Sequence, residues 1–290
     1  MRTRAALAAF AASILAAPAC AQSIRAVLSS DSRPYQEAWE GFREELGDAA
    51  AMSVAGAPGS DASVGSARVV AAFGSKAALQ EYRGGVTVIS VMAPSVDFTR
   101  RGGDTPRVAM TPSPQNLLSN LCALQPGLKR LAVVWKSKFY GEQYLGLLRA
   151  SGKAIGVEIK SVEIAEEGDI PDQMRALYGR ADALWLPPDP LVINESNFLL
   201  FRDFSLANRV PLYVPIPSLA ERGATASVGV GFRAVGRAAA RVAKQALAGG
   251  DAPLLSFPEP AETTLNSRSA AKVGLSVDAG TLKGLTRVIP

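Results

Sequence analysis

The chain has 290 residues, 48% hydrophobic, 20% charged and 7% aromatic, a balance that excludes a disordered polymer and fits one large or two modest globular domains. The formal charge of +5 comes from 31 basic and 26 acidic residues, scattered without a basic tail or alternating aromatic platforms, so nucleic acid is not an expected partner. No histidine occurs, which removes histidine-based triads and zinc hydrolase sites, and Cys20 and Cys122 alone cannot hold a metal cluster; neither metal nor cofactor is expected.

Residues 1–21 read as an export signal. Arg2 and Arg4 precede an apolar stretch from Ala5 to Ala17, and Ala19-Cys20-Ala21 ahead of Gln22 suits cleavage. The run is too short to span a bilayer comfortably, and no later stretch is long enough to do so, which predicts a periplasmic mature chain without a transmembrane segment. Cys20 lacks the leucine usual three positions before a lipidated cysteine, so acylation there is the alternative to ordinary cleavage.

Strand and helix signals then alternate. Ile24–Leu28 reads as a buried strand and Pro34–Leu46 as a helix whose Tyr35, Trp39, Phe42 and Leu46 form one apolar face. Arg68–Phe73 and Val86–Met92 read as strands flanking a short helix over Lys76–Tyr82. Residues 94–114 change texture, with a double arginine, glycines and several prolines, as in a domain crossing where only Val108–Met110 resembles a strand. Beyond it, helices are predicted over Gln115–Leu124, Tyr140–Ile155, Ile170–Tyr178, Ser196–Asn208 and Val235–Leu247. They alternate with strands over Arg130–Trp135, Val157–Ile164, Ala181–Leu186, Pro211–Val214 and Ser227–Val230. The 140–155 helix packs Tyr140, Tyr144, Leu147 and Leu148. Two successive βα runs predict an α/β protein of two Rossmann-like lobes, each a parallel sheet covered by helices.

In open parallel sheets ligands bind beyond the carboxyl ends of the strands, which selects the loops to inspect. They carry Ser29 and Ser30, Gly74 and Ser75, Ser95, Ser137 and Tyr140, Asp189, and Ser218. Serine hydroxyls and free backbone N–H groups suit a carboxylate, Asp189 could pair with an ammonium group, and Tyr140 could cover an apolar part. Each has a plainer alternative: Ser30, Ser32 and Ser75 as helix N-caps, Asp189 as a turn residue between prolines, the Tyr35/Trp39/Phe42 stripe as core. Cys122, in an apolar stretch, reads as a buried thiol. An enzyme is not expected: there is no G-x-S-x-G elbow, no complete dinucleotide or phosphate loop and no opposed carboxylates, leaving only a serine hydrolase at Ser75 or Ser137 as a version to test.

The C-terminal third carries a resemblance. Phe232-Arg-Ala-Val-Gly236-Arg237, then Ala246-Leu247-Ala-Gly249-Gly250-Asp-Ala-Pro253, then Leu265-Asn266 and Ala270-Ala271-Lys-Val-Gly274-Leu275 resemble the closing pattern of ABC-transporter substrate-binding proteins of the tryptophan/aromatic amino acid-binding type. Pro126-Gly127-Leu-Lys129-Arg130 looks like that family's entry into its second lobe, and Ala183-Leu-Trp-Leu-Pro187-Pro-Asp189 like its central strand. The resemblance implies a type I periplasmic binding protein, two lobes joined by a three-crossing hinge. Lobe 1 would hold 22–97 and 229–257, and lobe 2 would hold 106–228 and 261–290. It also implies a small-molecule ligand, amino acid-like or a carboxylate, and as partners an ABC permease with its ATPase. Two departures stand out: Ala93-Pro94 replaces the family's Asp-Pro, and Gly103-Asp-Thr-Pro-Arg-Val-Ala stands where a Gly-Asn-x-Thr-Gly segment belongs. They motivate an alternative, a repurposed scaffold acting as a periplasmic partner or sensor component with a degenerate cleft.

Overall fold

The computed structural model describes residues 23–47, 50–56, 64–94, 96, 105–136, 141–190 and 192–290. The expected export segment, 1–21 with Cys20, lies outside them.

The first sheet forms from β1 (Ile24–Leu28), β2 (Ala51–Val54), β3 (Val69–Phe73), β4 (Thr87–Val91), β5 (Arg107–Val108) and β11 (Leu255–Ser256). Its order is β11-β5-β4-β3-β1-β2, and every pairing is parallel. The second contains β6 (Arg130–Trp135), β7 (Glu158–Glu163), β8 (Ala183–Trp185), β9 (Leu212–Val214), β10 (Ala226–Val230), β12 (Ala261–Asn266) and β13 (Arg287–Ile289), in the order β13-β12-β10-β9-β8-β6-β7. Here the expectation of a purely parallel sheet needs correcting, because β12 runs antiparallel to β10.

Helices cover both faces of each sheet, which is why the strands read as nearly continuous apolar runs. In the first half, α1 (Arg33–Leu46) and α8 (Phe232–Leu247) lie on the face carrying Leu28, Phe73 and Ile89, while α2 (Ser75–Leu79) packs Ala77 and Ala78 against Val27, Val70 and Ala72 on the other. In the second half, α3 (Pro114–Leu124) and α4 (Gly141–Ile155) bury Leu117, Leu121 and Leu148 against Leu131, Trp185 and Tyr213. Opposite them, α5 (Ile170–Leu177), α6 (Glu195–Asn208) and α7 (Pro217–Glu221) bury Met174, Phe198, Phe201 and Leu219. Two short helices, α9 (Ser267–Lys272) and α10 (Ala279–Gly284), close the chain around β13.

On α1 the apolar face is as expected and broader: Phe42 is fully buried, Tyr35, Trp39 and Leu46 half-buried, and the small residues Ala38 and Gly41 bring α8 close. On α4 the phase differs by one position. Leu145 joins Tyr144 and Leu148 in the core, while Leu147 faces outward, since the packed stripe follows i, i+1, i+4.

The chain changes sheet three times. It leaves the first sheet at the carboxyl end of β5 and enters α3, returns from the carboxyl end of β10 through Gly231 into α8, and leaves again from β11 through 257–260 into β12. Arg107–Val108 therefore belongs to the first sheet and Gly229–Val230 to the second, so the first two changes fall a few residues later than the boundaries at 106 and 229. A two-residue strand beside Arg100-Arg101-Gly102-Gly103 carries too little periodicity to be separated from its linker. Each crossing departs from a carboxyl strand end, and β12, being antiparallel, begins beside the carboxyl end of β10. The carboxyl edges of both sheets thus flank one hinge.

Candidate ligand cleft at the carboxyl edges

At the first sheet's edge, the backbone turns sharply after β1 and β3. The Ser29 N–H donates to the Phe73 carbonyl (2.8 Å) and the Gly74 N–H to the Val91 carbonyl (2.7 Å), locking three strand ends together. Ser29 Oγ then accepts the Ala77 N–H of α2 at 2.9 Å. This is helix capping by a residue from another strand, because the residue at the capping position itself is Gly74, which has no side chain. Gly74 adopts φ +90°, a backbone conformation that favours glycine, and a β-carbon there would run into the Tyr35 hydroxyl and lie 2.6 Å from Ser29 Oγ.

The sequence-predicted Ser29, Gly74 and Ser75 are therefore together, and Tyr35 joins them. Its ring belongs to the apolar stripe while its hydroxyl end reaches the strand ends, a dual role that periodicity alone assigns wholly to the core. Neither the Tyr35 hydroxyl nor the Ser75 hydroxyl has a hydrogen bond within the described residues, and both side chains are half-buried. Ser30 points elsewhere: its hydroxyl donates to Ser32 Oγ (3.1 Å) inside the turn opening α1. Ser32 is the N-cap residue there but makes no side-chain capping bond. Past β4, Met92 holds φ +54°, unusual for a non-glycine residue, beside the buried Ala93.

At the second sheet's edge, Asp189 is only 1% exposed. Its Oδ2 accepts the Lys136 N–H at 2.9 Å, and its own carbonyl accepts from Val192 (3.0 Å) and Ile193 (2.8 Å). The loops after β6 and β8 are thereby tied together. Ser218 is exposed in the first turn of α7. Gly229 packs directly under the Pro215 carbonyl, a contact that leaves no room for a side chain. Opposite Gly229 in the register stands Glu262, whose Oε1 would be 2.5 Å from a β-carbon on Gly231. Glu262 carries no local signal in the sequence; only the β10–β12 pairing brings it to this edge. Ser95, Ser137 and Tyr140 lie outside the described residues.

Among the described residues no group of three His, Cys, Asp or Glu could hold a metal ion, and no helix is long and apolar enough to cross a membrane. Burial pushes the Cys122 thiol above its usual range despite the opposing charge of Lys129, which disfavours the thiolate. Burial also raises the Tyr144 and Tyr213 phenols, so both stay neutral; the Tyr213 hydroxyl donates to Gln125 Oε1 at 2.9 Å.

Two layered α/β halves, joined three times at their carboxyl edges, define a type I periplasmic-binding fold. The model of the family described as ABC transporter substrate binding protein matches residues 115–288. Among solved structures, an ABC domain from Streptococcus pneumoniae in complex with L-Trp is similar at TM-score 0.62 and 16% identity, covering 92% of this chain and 99% of that one. A ligand-free, open substrate-binding protein with adhesive properties from Clostridium difficile is similar at TM-score 0.63 and 15% identity, with 92% and 98% covered. A conserved domain protein from Vibrio cholerae matches at TM-score 0.60 and 15% identity, with 91% and 98% covered. No curated protein matches. The chain belongs to the ABC transporter substrate-binding protein family.

Proposed function

We propose that the chain is the periplasmic solute receptor of an ABC importer, binding a small carboxylate-bearing molecule between its two halves and delivering it to a permease and ATPase. It acts by binding, not by catalysis. Residues 1–21 direct export, and the halves around the two sheets act as lobes that close over the ligand. The observation that carries this reading is the meeting of Ser29, Tyr35, Gly74 and Ser75 at a carboxyl edge beside the hinge. Two uncommitted hydroxyls there, those of Tyr35 and Ser75, offer donors to a carboxylate. Asp189 holds the facing loops in place, and Ser218 lies on the rim.

Thermal shift of the mature chain against amino acids and small carboxylic acids tests this. At about 100 times Kd a ligand stabilises by roughly 2.7 kcal/mol, a rise of several degrees in melting temperature. Flat responses across the whole set would overturn it. One observation favours the second reading, a scaffold repurposed as a periplasmic partner. Ala93 is buried among Val27, Val70 and Ala72, so this edge is apolar where the resembling family places a charge. Crosslinked pull-down from envelope extracts separates the two: recovery of a permease supports the receptor, and a stable complex with another envelope protein supports the scaffold.

A further inference from the structure

Basic residues that lie scattered along the chain are gathered by the topology of the second half. Its parallel strands all enter from one edge. There the register sets Arg130 of β6 beside Glu158 of β7, Leu131 beside Ala183 of β8, Leu184 beside Leu212 of β9 and Tyr213 beside Ala226 of β10. β12 runs the other way and leaves at this same edge, into α9. A residue just before one of these strands, or just after β12, therefore comes to the edge whatever its place in the sequence.

Six such residues are cations. Lys129 precedes β6, Lys153 lies in the last turn of α4 before β7, Arg180 precedes β8 and Arg209 precedes β9. Arg268 opens α9, and Lys272 follows one turn later on the same helix face. All six are exposed, and their side chains have no hydrogen bond or ion pair within the described residues. Two acids at the strand entries are already engaged: Asp182 by Arg130 at 2.6 Å and Glu158 by Lys160 at 3.9 Å. At the usual spacing of neighbouring strands, the row from β12 to β7 spreads the cations over about 24 Å.

Two large apolar side chains stand among them. Tyr178, two residues before Arg180, is 69% exposed, and Ile155, two residues after Lys153, is 52% exposed. Cations interleaved with an outward tyrosine and an outward isoleucine match the layering of a lipid surface. Lysine and arginine meet the phosphates, tyrosine sits at headgroup level, and the aliphatic side chain enters the acyl boundary. The cations form a row and do not converge on one point, which suits a plane of many anions better than a single one. One tyrosine is not the series of stacking platforms that a nucleic acid strand uses.

We propose that this amino edge of the second sheet is a docking face for a bilayer carrying anionic phospholipids. It lies at the opposite end of the strands from the carboxyl edges and the hinge, so contact here does not cover the candidate cleft. The inference is independent of what that cleft binds.

The test is co-sedimentation of the mature chain with vesicles of phosphatidylglycerol and phosphatidylcholine in equal parts, and with vesicles of phosphatidylcholine alone. Partitioning to the anionic vesicles is expected to be about tenfold or more stronger at low salt. It should fall to the neutral level in about 1 M salt, where charges are screened within about 3 Å. The double variant Lys153→Gln/Arg180→Gln is expected to lose about tenfold in partitioning with an unchanged melting temperature. Excess soluble glycerol phosphate is expected not to displace the wild-type chain from the vesicles. Equal partitioning to both vesicles, none to either, or full partitioning by the folded double variant would overturn the inference. Displacement by glycerol phosphate would do so too, by showing a single-anion site, and capture on immobilised polyglutamate without vesicle binding would assign the face to an acidic protein instead. The wild-type arms decide the matter even if the variant does not fold, and every one of these failures leaves the receptor reading intact.

Discussion

Gly236 of α8 lies so close to Ala38 of α1 that a β-carbon on it would collide with the Ala38 carbonyl oxygen. Gly41 meets the Arg233 carbonyl in the same way from the opposite helix. The two helices therefore approach backbone to backbone, with Ala239 and Ala240 filling the space toward the sheet. Along the exposed margin Arg233 pairs with Glu40 and Glu44, Arg237 with Glu44 (3.2 Å), and Lys244 with Glu45 (3.1 Å). Exposed pairs of this kind contribute about 0–1 kcal/mol each, so the close packing of the helices matters more to their association.

Gly236→Ala is accordingly expected to destabilise the protein by about 1–3 kcal/mol or more, because the obstacle is rigid backbone and cannot rotate aside. Thermal melting should fall by several degrees. Arg237→Ala, on the exposed margin, should shift it by about a degree or two. Equal effects from the two changes would mean that the glycine contact does not carry the helix pair.

Ser29→Ala removes the acceptor of the Ala77 N–H and leaves the start of α2 uncapped. A loss of about 1 kcal/mol is expected in denaturant unfolding, comparable to losing an ordinary N-cap. Ser30→Ala, whose hydroxyl bonds only within its own exposed turn, should change stability by less than about 0.5 kcal/mol.

Ser75→Ala and Tyr35→Phe each remove one uncommitted hydroxyl from the proposed carboxylate site. Each is expected to weaken binding of whichever amino acid or carboxylic acid stabilises the wild-type chain by about 3- to 10-fold, with the melting temperature of the free protein nearly unchanged. Titration of both variants alongside wild type checks this, and unchanged affinity in both would remove the first half's edge from the site.

Asp182 anchors the start of β6. Burial alone would raise its carboxyl, but hydrogen bonds from the Arg130 side chain and from the Lys129 and Arg130 amides outweigh burial and hold it below the ordinary range. A carboxylate depressed in the folded state stabilises fully above its unfolded value, near about pH 4, and that contribution is lost as pH falls through the lower folded value. Stability measured between about pH 5 and pH 2 should therefore fall less steeply in Asp182→Asn than in wild type, from a lower starting point near neutrality. Parallel curves would show that this carboxylate does not contribute to the acid sensitivity.

Much of the fold was legible. Strands such as Ile24–Leu28 and Arg130–Trp135 are buried on both faces and so appear as unbroken apolar runs, and α1 reveals its inner face through Tyr35, Trp39, Phe42 and Leu46. Short or edge elements were not: β2, β11 and α7 are two to five residues long and hold too few positions to express a period. The site divides in the same way. That Ser29, Gly74 and Ser75 sit at carboxyl strand ends follows from the alternation of strands and loops, whereas the approach of the Tyr35 hydroxyl to them is hidden by that residue's double character. Asp189 lies in the loop after β8 that the strand pattern marks out, while its contact with the Lys136 amide arrives from another strand end and has no local signal.

What the sequence alone determined is the local order: which segments are strand or helix, which face of each is apolar, and which loops end the parallel strands. These follow from periodicity and residue chemistry within a few neighbours along the chain. Only the tertiary structure decided that Ser29 caps a helix 48 positions away, that two glycines let α1 and α8 touch, and that Glu262 comes to rest beside Gly231 at the hinge. Those relations depend on strand register and on the angle at which helices cross. Both are settled by the packing of the whole chain, because no short stretch contains the partner that fixes them.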